Sequence, residues 1–523
     1  MQTDTMNPQT SAPNRSRGLL FLGLYAALLI AAFTVLTATD GLWVFFAPGQ
    51  LTLIWAGGLL VLTLGFSAIE WVPPVLPSWS IWIGIVSTLI VAKWVLLGFE
   101  NSADEYAYVF QAKTFLAGKL WNAAPPLGQA LASDYTWVKE GKWVGQYPPG
   151  WPAILAFFQW CGVPFWAVNT GLSVGVLGLT FRLSKGSLLV TVLLALSPFM
   201  IFNGASYHSH MAAALMGLLA VQCLELSLDK KNMTWAVAAG AAVGSIGLIR
   251  YDSALLIALP FAISMLRQKR WALCAAVISG ALPLVAVLLA YHWVITGNPL
   301  VPVYWLGGRS ADHLYFDSAG IAEGIRLSMW RWVELVEWAG PGVIPIWVIG
   351  LAAKIRSKHV TPVDWVFPLF VLTFLFYPFD GANRYGPRYY FEALPFMVLI
   401  LRGVTLGPVG LRLIRLSVVY GLVSLPFLGW FYHQIISERM ELYDQVTAMK
   451  LNNAVVLVQD APGHIWKMEP DDMARNGLTA DGPVLYARAD KVGTEGLRQA
   501  FPERSLWIYS CPADLNHCEL RKL

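Results

Sequence analysis

Apolar runs of roughly 17–25 residues, the length that crosses ~30 Å of hydrocarbon, recur along this chain from Leu19 as far as residue 432. Inside lipid a segment must satisfy its own backbone polar groups, so runs of this kind fold as helices. About 13 such runs can be read, beginning near Leu19, Leu51, Ile81, Pro164, Ser187, His210, Met233, Ser253, Trp271, Gly340, Val363, Phe391 and Leu413. Composition agrees: of 523 residues, 56% are hydrophobic and only 13% are charged, against about 25% charged in soluble domains. A water-soluble enzyme, a disordered chain and a disulfide-dense scaffold are thereby excluded. The 24 Trp, 26 Phe and 19 Tyr suit a protein with many membrane–water interfaces, where amphipathic rings collect. A net charge of +4 is too small to argue for a nucleic-acid partner.

Where the cations fall predicts the orientation, because Lys and Arg are retained on the cytoplasmic side. Residues 1–18 are polar, carry Arg15 and Arg17 just before the first run, and show no cleavage site, which predicts a cytoplasmic tail and a retained anchor. With that start, the inward loops hold Arg182 and Lys185, then Lys230 and Lys231, then Arg267, Lys269 and Arg270. Lys354, Arg356 and Lys358 follow, and finally Arg412 and Arg415. The opposite loops at 39–50 and 202–210 have no Lys or Arg, and the one inward turn without a basic residue is 71–80. The prediction is a multi-pass protein of the cell (inner) membrane, N-terminus inside and C-terminus outside. Residues 148–182 are too long for one span and break at Gly162-Val163-Pro164. The first half is therefore expected to be a re-entrant or juxtamembrane helix on the outer face.

Three outer stretches interrupt the 19–432 bundle or follow it: loops 100–150 and 297–337, and a tail over 433–523. The tail alternates β-branched runs (AVVLVQ, PVLYARA, SLWIYS) with a polar helical stretch, GTEGLRQAF. That pattern predicts a small extracytoplasmic α/β domain. The fold expected is an α-helical polytopic bundle carrying this domain. Of the five cysteines, Cys161, Cys223 and Cys274 lie in apolar runs and read as small core residues, whereas Cys511 and Cys518 are either a disulfide or two thiols.

Charge at membrane depth is costly and marks function by default, and the polar clusters all fall on the outer side. N-S-A-D-E-Y-A-Y (101–108) places Asp104 and Glu105 directly after a span. They are either helix-start carboxylates, stabilised by free N–H groups, or a base held at the membrane surface. Q-Y-P-P-G-W-P (146–152), which includes Tyr147, sets a rigid turn. N-G-A-S-Y-H-S-H (203–210) holds His208 and His210, which read first as interfacial histidines with hydrogen-bond partners and without further metal ligands nearby. Arg250-Tyr251-Asp252 and D-G-A-N-R-Y-G-P-R-Y-Y-F-E (380–392) bring Arg250, Arg384 and Arg388 beside Asp252, Tyr389 and Glu392. These arginines either pair with Asp252, Asp380 and Glu392 or gather a lipid-linked phosphate, which Arg binds bidentately. T-G-N-P-L-V-P-V-Y (296–304) opens the second long outer loop as a turn-rich segment.

The segment ADEYAYVFQA followed by QYPPGWP resembles the first outer loop of GT-C superfamily membrane glycosyltransferases. The likeness is nearest to the protein O-mannosyltransferase and lipid A aminoarabinose transferase branch. RYGPRYYFEALPF and TGNPLVPVY are also similar to bacterial members. The resemblance implies that Asp104 is the base, that Glu105 helps place the acceptor, and that the donor is a sugar on polyprenyl phosphate, without a nucleotide. Where the oligosaccharyltransferase branch carries an acidic metal motif, this chain reads SYHSH. That departure implies no cofactor, and leaves room for a His-assisted divalent ion.

The function expected is therefore sugar transfer, with inversion, from a polyprenyl-phosphate donor to a hydroxyl of a glycan, lipid or protein acceptor on the outer face. Arg250, Arg384 and Arg388 would bind the donor phosphate; Tyr147, His208, His210, Asp252, Tyr389 and Glu392 are candidates to line the substrate site. Membrane lipids are the remaining partners. The rivals are a lipid-linked glycan transporter or flippase, which would carry charges near mid-membrane and repeated broken helices, and an O-antigen ligase or polymerase.

Overall fold

Where the sequence is apolar on all sides it folds into helices, and prolines and glycines decide where they break. The computed structural model describes residues 79–307, 318–378, 385–459, 470–511 and 518–523. The runs beginning at Leu19 and Leu51, most of the 71–80 turn, Asp380 and Arg384 lie outside these residues. Helix α1 (Trp79–Ile90) continues as a π-helical turn over Val91–Val95, and α2 is Ala103–Leu116. Strands β1 (Asn122–Ala123), β2 (Thr136–Lys139) and β3 (Lys142–Gly145) form a small antiparallel sheet with β3 in the middle. Then come α3 (Gly150–Trp160), α4 (Phe165–Leu183), α5 (Leu188–Ala195), α6 (Pro198–Ala205), α7 (His210–Lys230), α8 (Met233–Ile249), α9 (Tyr251–Arg267) and α10 (Trp271–Thr296). The bundle continues through α11 (Ser318–Ala339), α12 (Val343–Ser357), α13 (Val366–Phe374), α14 (Leu394–Leu399) and α15 (Pro408–Ala448). The tail contributes β4 (Ala454–Val458), α16 (Pro470–Met473), β5 (Val484–Arg488), α17 (Thr494–Ala500), β6 (Ser505–Ser510) and β7 (Glu519–Lys522).

Among the described residues, α7, α10 and α15 are long and apolar enough to cross a membrane, and up to six spans result if each bent helix pair counts as one. The bent pairs are α3–α4 at 106°, α5–α6 at 59° and α11–α12 at 101°. The first break falls at Gly162-Val163-Pro164, with Gly162 at φ +87°. The second falls at Ser197-Pro198, with Pro198 in the first turn of α6, where its missing N–H costs nothing. The run near Phe391 gives only the short α14, flanked by a 3₁₀ turn over Arg388–Tyr390.

Two regions depart from the sequence reading. The second half of the stretch read as an irregular loop over 297–337 is helix α11, whose charged residues mask an inner face containing Leu327, Leu335, Val336 and fully buried Arg331. Helix α15 does not stop at residue 432. Ile435, Ile436, Arg439, Leu442 and Val446 are buried at helical spacing, so the tail's sheet begins only at Ala454. That sheet has the order β5-β4-β6-β7, with β4 parallel to both neighbours and β7 antiparallel to β6. Its central strand β4 is buried throughout, as parallel strands covered on both faces are. Leu442 and Val446 of α15 pack on one face beside Val456, Val458 and Tyr509, while Leu497 of α17 and Leu131 of the loop between β1 and β2 pack on the other. Cys511 and Cys518 are joined as a disulfide. Cys161, read as a core residue, is exposed, and Cys223 and Cys274 are half-buried.

Helices α8 and α10 approach through glycine. A Cβ on Gly240 would overlap the Val277 carbonyl oxygen, and one on Gly280 would overlap the Val237 carbonyl oxygen; small residues permit this close packing of apolar helices. Gly280→Val is expected to force these helices apart and lower the melting temperature of the detergent-solubilised protein by several degrees. Gly178→Ala, where an added methyl group meets nothing, should leave it unchanged.

Candidate active site

The mouth of the bundle is assembled from sequence segments that are far apart. Ser102 caps α2, its hydroxyl accepting from Glu105 N at 3.2 Å. In a capping box the acid three residues on reaches back to the cap's own N–H; here Glu105 reaches one residue further, accepting from Asn101 N at 2.6 Å. Its other oxygen accepts from Tyr207 N at 3.0 Å and lies 3.8 Å from His208 Nε2. Glu105 is 1% exposed, so this carboxylate holds the start of α2 against the turn before α7. Both oxygens of Glu105, for which the resemblance implied acceptor placement, are turned into the protein.

Asp104, its neighbour in the same helical turn, faces the other way. Its Oδ2 pairs with Arg388 Nη1 at 3.3 Å, and its Oδ1 accepts from the Tyr147 hydroxyl. Burial, and then the Asp104 carboxylate, push the Tyr147 phenol well above its usual range, so Tyr147 stays protonated and donates. Tyr147 belongs to an aromatic group at the mouth: its ring centroid lies 4.4 Å from Tyr108, 6.0 Å from Tyr135 and 6.2 Å from Tyr304. The turn-rich 296–304 segment thereby reaches the site. The rigid turn at 146–152 is held from behind: Trp151 Nε1 donates to Tyr207 O at 2.7 Å, and Gly150 lies so close to Leu248 that a Cβ would strike its carbonyl.

Arg388 is aimed by an unusual backbone. Tyr385 and Gly386 both take left-handed φ, +61° and +85°, a conformation Gly adopts without strain. A Cβ on Gly386 would also press on Trp338 and Phe199. Asn101 Nδ2 donates to the Tyr385 hydroxyl, and Asn203 Nδ2 to the Tyr385 carbonyl, each at 3.0 Å. The 101–108, 203–210 and 385–392 segments are thus stitched to one another. The Arg388 guanidinium stands 5.9 Å from the Tyr389 ring, and that ring stacks on Phe374 at 4.8 Å.

A second buried acid organises the neighbouring side. Glu392, 1% exposed, lies 2.7 Å from Arg250 Nε and 3.0 Å from His210 Nδ1, and accepts from Ser253 Oγ at 3.0 Å. Arg250 Nη2 also meets Asp252 at 3.4 Å. Tyr108, bonded to Ser209 Oγ at 3.1 Å, lies in the combined field of Arg250, Asp104 and Arg388. Asp104, Tyr147, Arg250, Asp252, Arg388, Tyr389 and Glu392 therefore converge, with His208 and His210 behind them against Glu105 and Glu392. The pairing of Arg250 with Asp252 and Glu392, and the partnered state of the histidines, were alternatives open in the sequence. Among the described residues no group of three or more His, Cys, Asp or Glu is placed to hold a metal ion. Asn101, Tyr385, Ser253 and Tyr108 were not singled out from sequence, although each is a polar group within three residues of a charged one in the motifs quoted above.

No family model matches the chain, and no curated protein matches it. Among solved structures the chain is similar to ArnT from Cupriavidus metallidurans bound to undecaprenyl phosphate, with a TM-score of 0.49 and 12% identity over 82% of this chain and 92% of that one. The apo state of the same protein gives a TM-score of 0.46 and 12% identity, over 82% and 93%. The arabinofuranosyltransferase AftD from Mycobacteria gives 0.38 and 16% identity, over 79% of this chain and 32% of that one. Likeness at this level does not assign a reaction; the side chains at the mouth must.

Glu105→Gln is expected to destabilise the protein, because an amide would turn an N–H donor toward backbone donors, at a cost of about 1–3 kcal/mol. Thermal unfolding in detergent measures this.

Proposed function

We propose that this chain is a GT-C-type membrane glycosyltransferase. It moves a sugar from a polyprenyl-phosphate donor to a hydroxyl of an envelope glycan, glycolipid or protein, on the outer face of the membrane. The observation that carries the reading is the pairing of Asp104 with Arg388 and Tyr147 at one end of an apolar bundle, next to Arg250. A carboxylate beside two guanidinium groups offers both halves of a glycosyl transfer from a phosphate: a proton acceptor, and cations for the departing anion.

The donor phosphate binds Arg388, with Arg250 beside it, and replaces Asp104 as the partner of Arg388, since a guanidinium takes phosphate through two parallel bonds. That exchange frees Asp104 Oδ2, while Tyr147 still holds Oδ1 and fixes the carboxylate's direction. The acceptor oxygen attacks the anomeric carbon and its proton passes to Oδ2. The bond between that carbon and the phosphate oxygen breaks, its electron pair stays on the phosphate, and the arginines stabilise the added charge without reorganising. One base and no covalent nucleophile give inversion. Retention needs a second carboxylate as nucleophile, and Glu105, the nearest in sequence, is occupied by backbone amides. Glu105 and Glu392 act as positioning residues, and the Tyr108, Tyr147 and Tyr389 rings line the sugar's approach.

Asp104→Asn should lower transfer by at least about 10²–10⁴-fold, the usual contribution of a positioned base, while donor binding persists. Full activity in that variant overturns the base assignment. Arg388→Ala should weaken binding of polyprenyl-phosphate sugar more than binding of acceptor, read by titrating each separately. Equal effects on the two would remove the phosphate role.

A further inference from the structure

A large cavity lies away from the Asp104 mouth, at the other end of the same helices. His210 and Asp252 begin α7 and α9 at the mouth, whereas Leu224 and Leu228 near the end of α7, and Phe261 and Met265 near the end of α9, line a cavity of about 830 Å³. Helices of 21 and 17 residues are about 30 and 25 Å long, so the two sites are separated by roughly the thickness of the hydrocarbon layer. The cavity's inner walls are apolar, completed by Leu273 at the start of α10. Four cations also line it, Lys185 and Arg270 at its exposed rim together with Lys354 and Arg402.

Two of those cations are already balanced. Lys354 pairs with buried Asp364 at 2.5 Å, and Arg402 pairs with Glu225. Lys185 and Arg270 are exposed and have no ion-pair partner among the described residues. A hydrocarbon wall under surplus cations selects an amphiphile with an anionic head. A free phosphate would gain nothing from the walls, and a zwitterionic lipid little from the rim. Basic pockets between membrane helices bind phosphate headgroups on this physical basis. The volume lies within the ~300–1,000 Å³ of ligand-sized cavities. Between a bulk phospholipid and a scarce isoprenoid phosphate, mass action favours the lipid in excess.

We infer that this cavity is a binding site for an anionic phospholipid of the leaflet opposite the Asp104 mouth, its phosphate held by Lys185 and Arg270 and its chains by the ends of α7, α9 and α10. The site is separate from the proposed chemistry and does not depend on it. Native mass spectrometry of the delipidated full-length protein, titrated with dioleoylphosphatidylglycerol and with dioleoylphosphatidylcholine, tests it. The anionic lipid should bind at least ten times more tightly. Its affinity should fall about 5-fold for each cation removed and about 25-fold in Lys185→Ala/Arg270→Ala, with Lys185→Arg/Arg270→Lys retaining it. Binding in Arg388→Ala should be unchanged, which separates this site from the phosphate site of the reaction. Equal affinity for the two lipids, or unaltered affinity in the double alanine variant, overturns the inference. So does displacement of the anionic lipid by inorganic phosphate, or loss in that variant of undecaprenyl phosphate binding alone.

Discussion

Two buried glutamates set the geometry on which the mouth depends. A carboxylate removed from water must be paired or hydrogen-bonded, and each glutamate meets that requirement with groups from distant parts of the chain. Glu105 holds Asn101 N and Tyr207 N; Glu392 holds Arg250, His210 and Ser253. Four loops that the bundle merely brings to the same end are thereby locked to one another. The aspartates nearby behave differently: Asp104 and Asp252 have side chains 14% and 40% exposed. Buried acids fix the scaffold, and the more accessible ones face whatever enters.

The tail fastens the start of helix α2 from the side away from the mouth. Arg475 lies over the Phe99 and Tyr106 rings, donates to Glu100 O at 2.5 Å and pairs with Asp472 at 2.8 Å. Asn476 donates to Leu131 O and accepts from Tyr486 N, tying the loop before β2 to β5. Arg439 near the end of α15 also pairs with Asp472. Helix α2 is therefore enclosed: Asp104 and Tyr108 look into the mouth, while Tyr106 and Phe110 pack outward toward the tail and the small sheet. A helix covered on nearly every side needs no single apolar stripe.

That enclosure explains what could and could not be read in advance. The helix over YAYVFQAKTFLAG, the broken pair around Gly162-Val163-Pro164 and the strands over AVVLV and SLWIYS follow local pattern, and they lie where the pattern puts them. Helix α11 was hidden because Glu323, Arg326, Arg331, Glu334 and Glu337 look like a solvated loop until the bundle supplies partners; Arg331, for one, donates to the Phe374 and Tyr377 carbonyls. The length of α15 was hidden because the sheet that covers its last turns follows it in sequence. Asp104 and Arg388 were legible as charges at apolar ends, but their contact spans 284 residues and no local spacing encodes it. The surroundings of Glu105 were hidden for the same reason: one of the backbone amides that it accepts from belongs to Tyr207.

The Asp104–Arg388 pair is a poor device for stability. Desolvating two charges offsets much of their attraction, and the same two segments are already joined by the neutral bond from Asn101 to Tyr385. A pair that adds little to the fold is informative about use. If it served packing alone, apolar side chains of similar volume would do as well or better. Its retention at a mouth lined by phenols, with a second guanidinium alongside, makes sense when an anion exchanges with the carboxylate. In the reaction proposed above, the resting pair would keep each charge compensated until a donor arrived, and the exchange that seated the phosphate would make the base available.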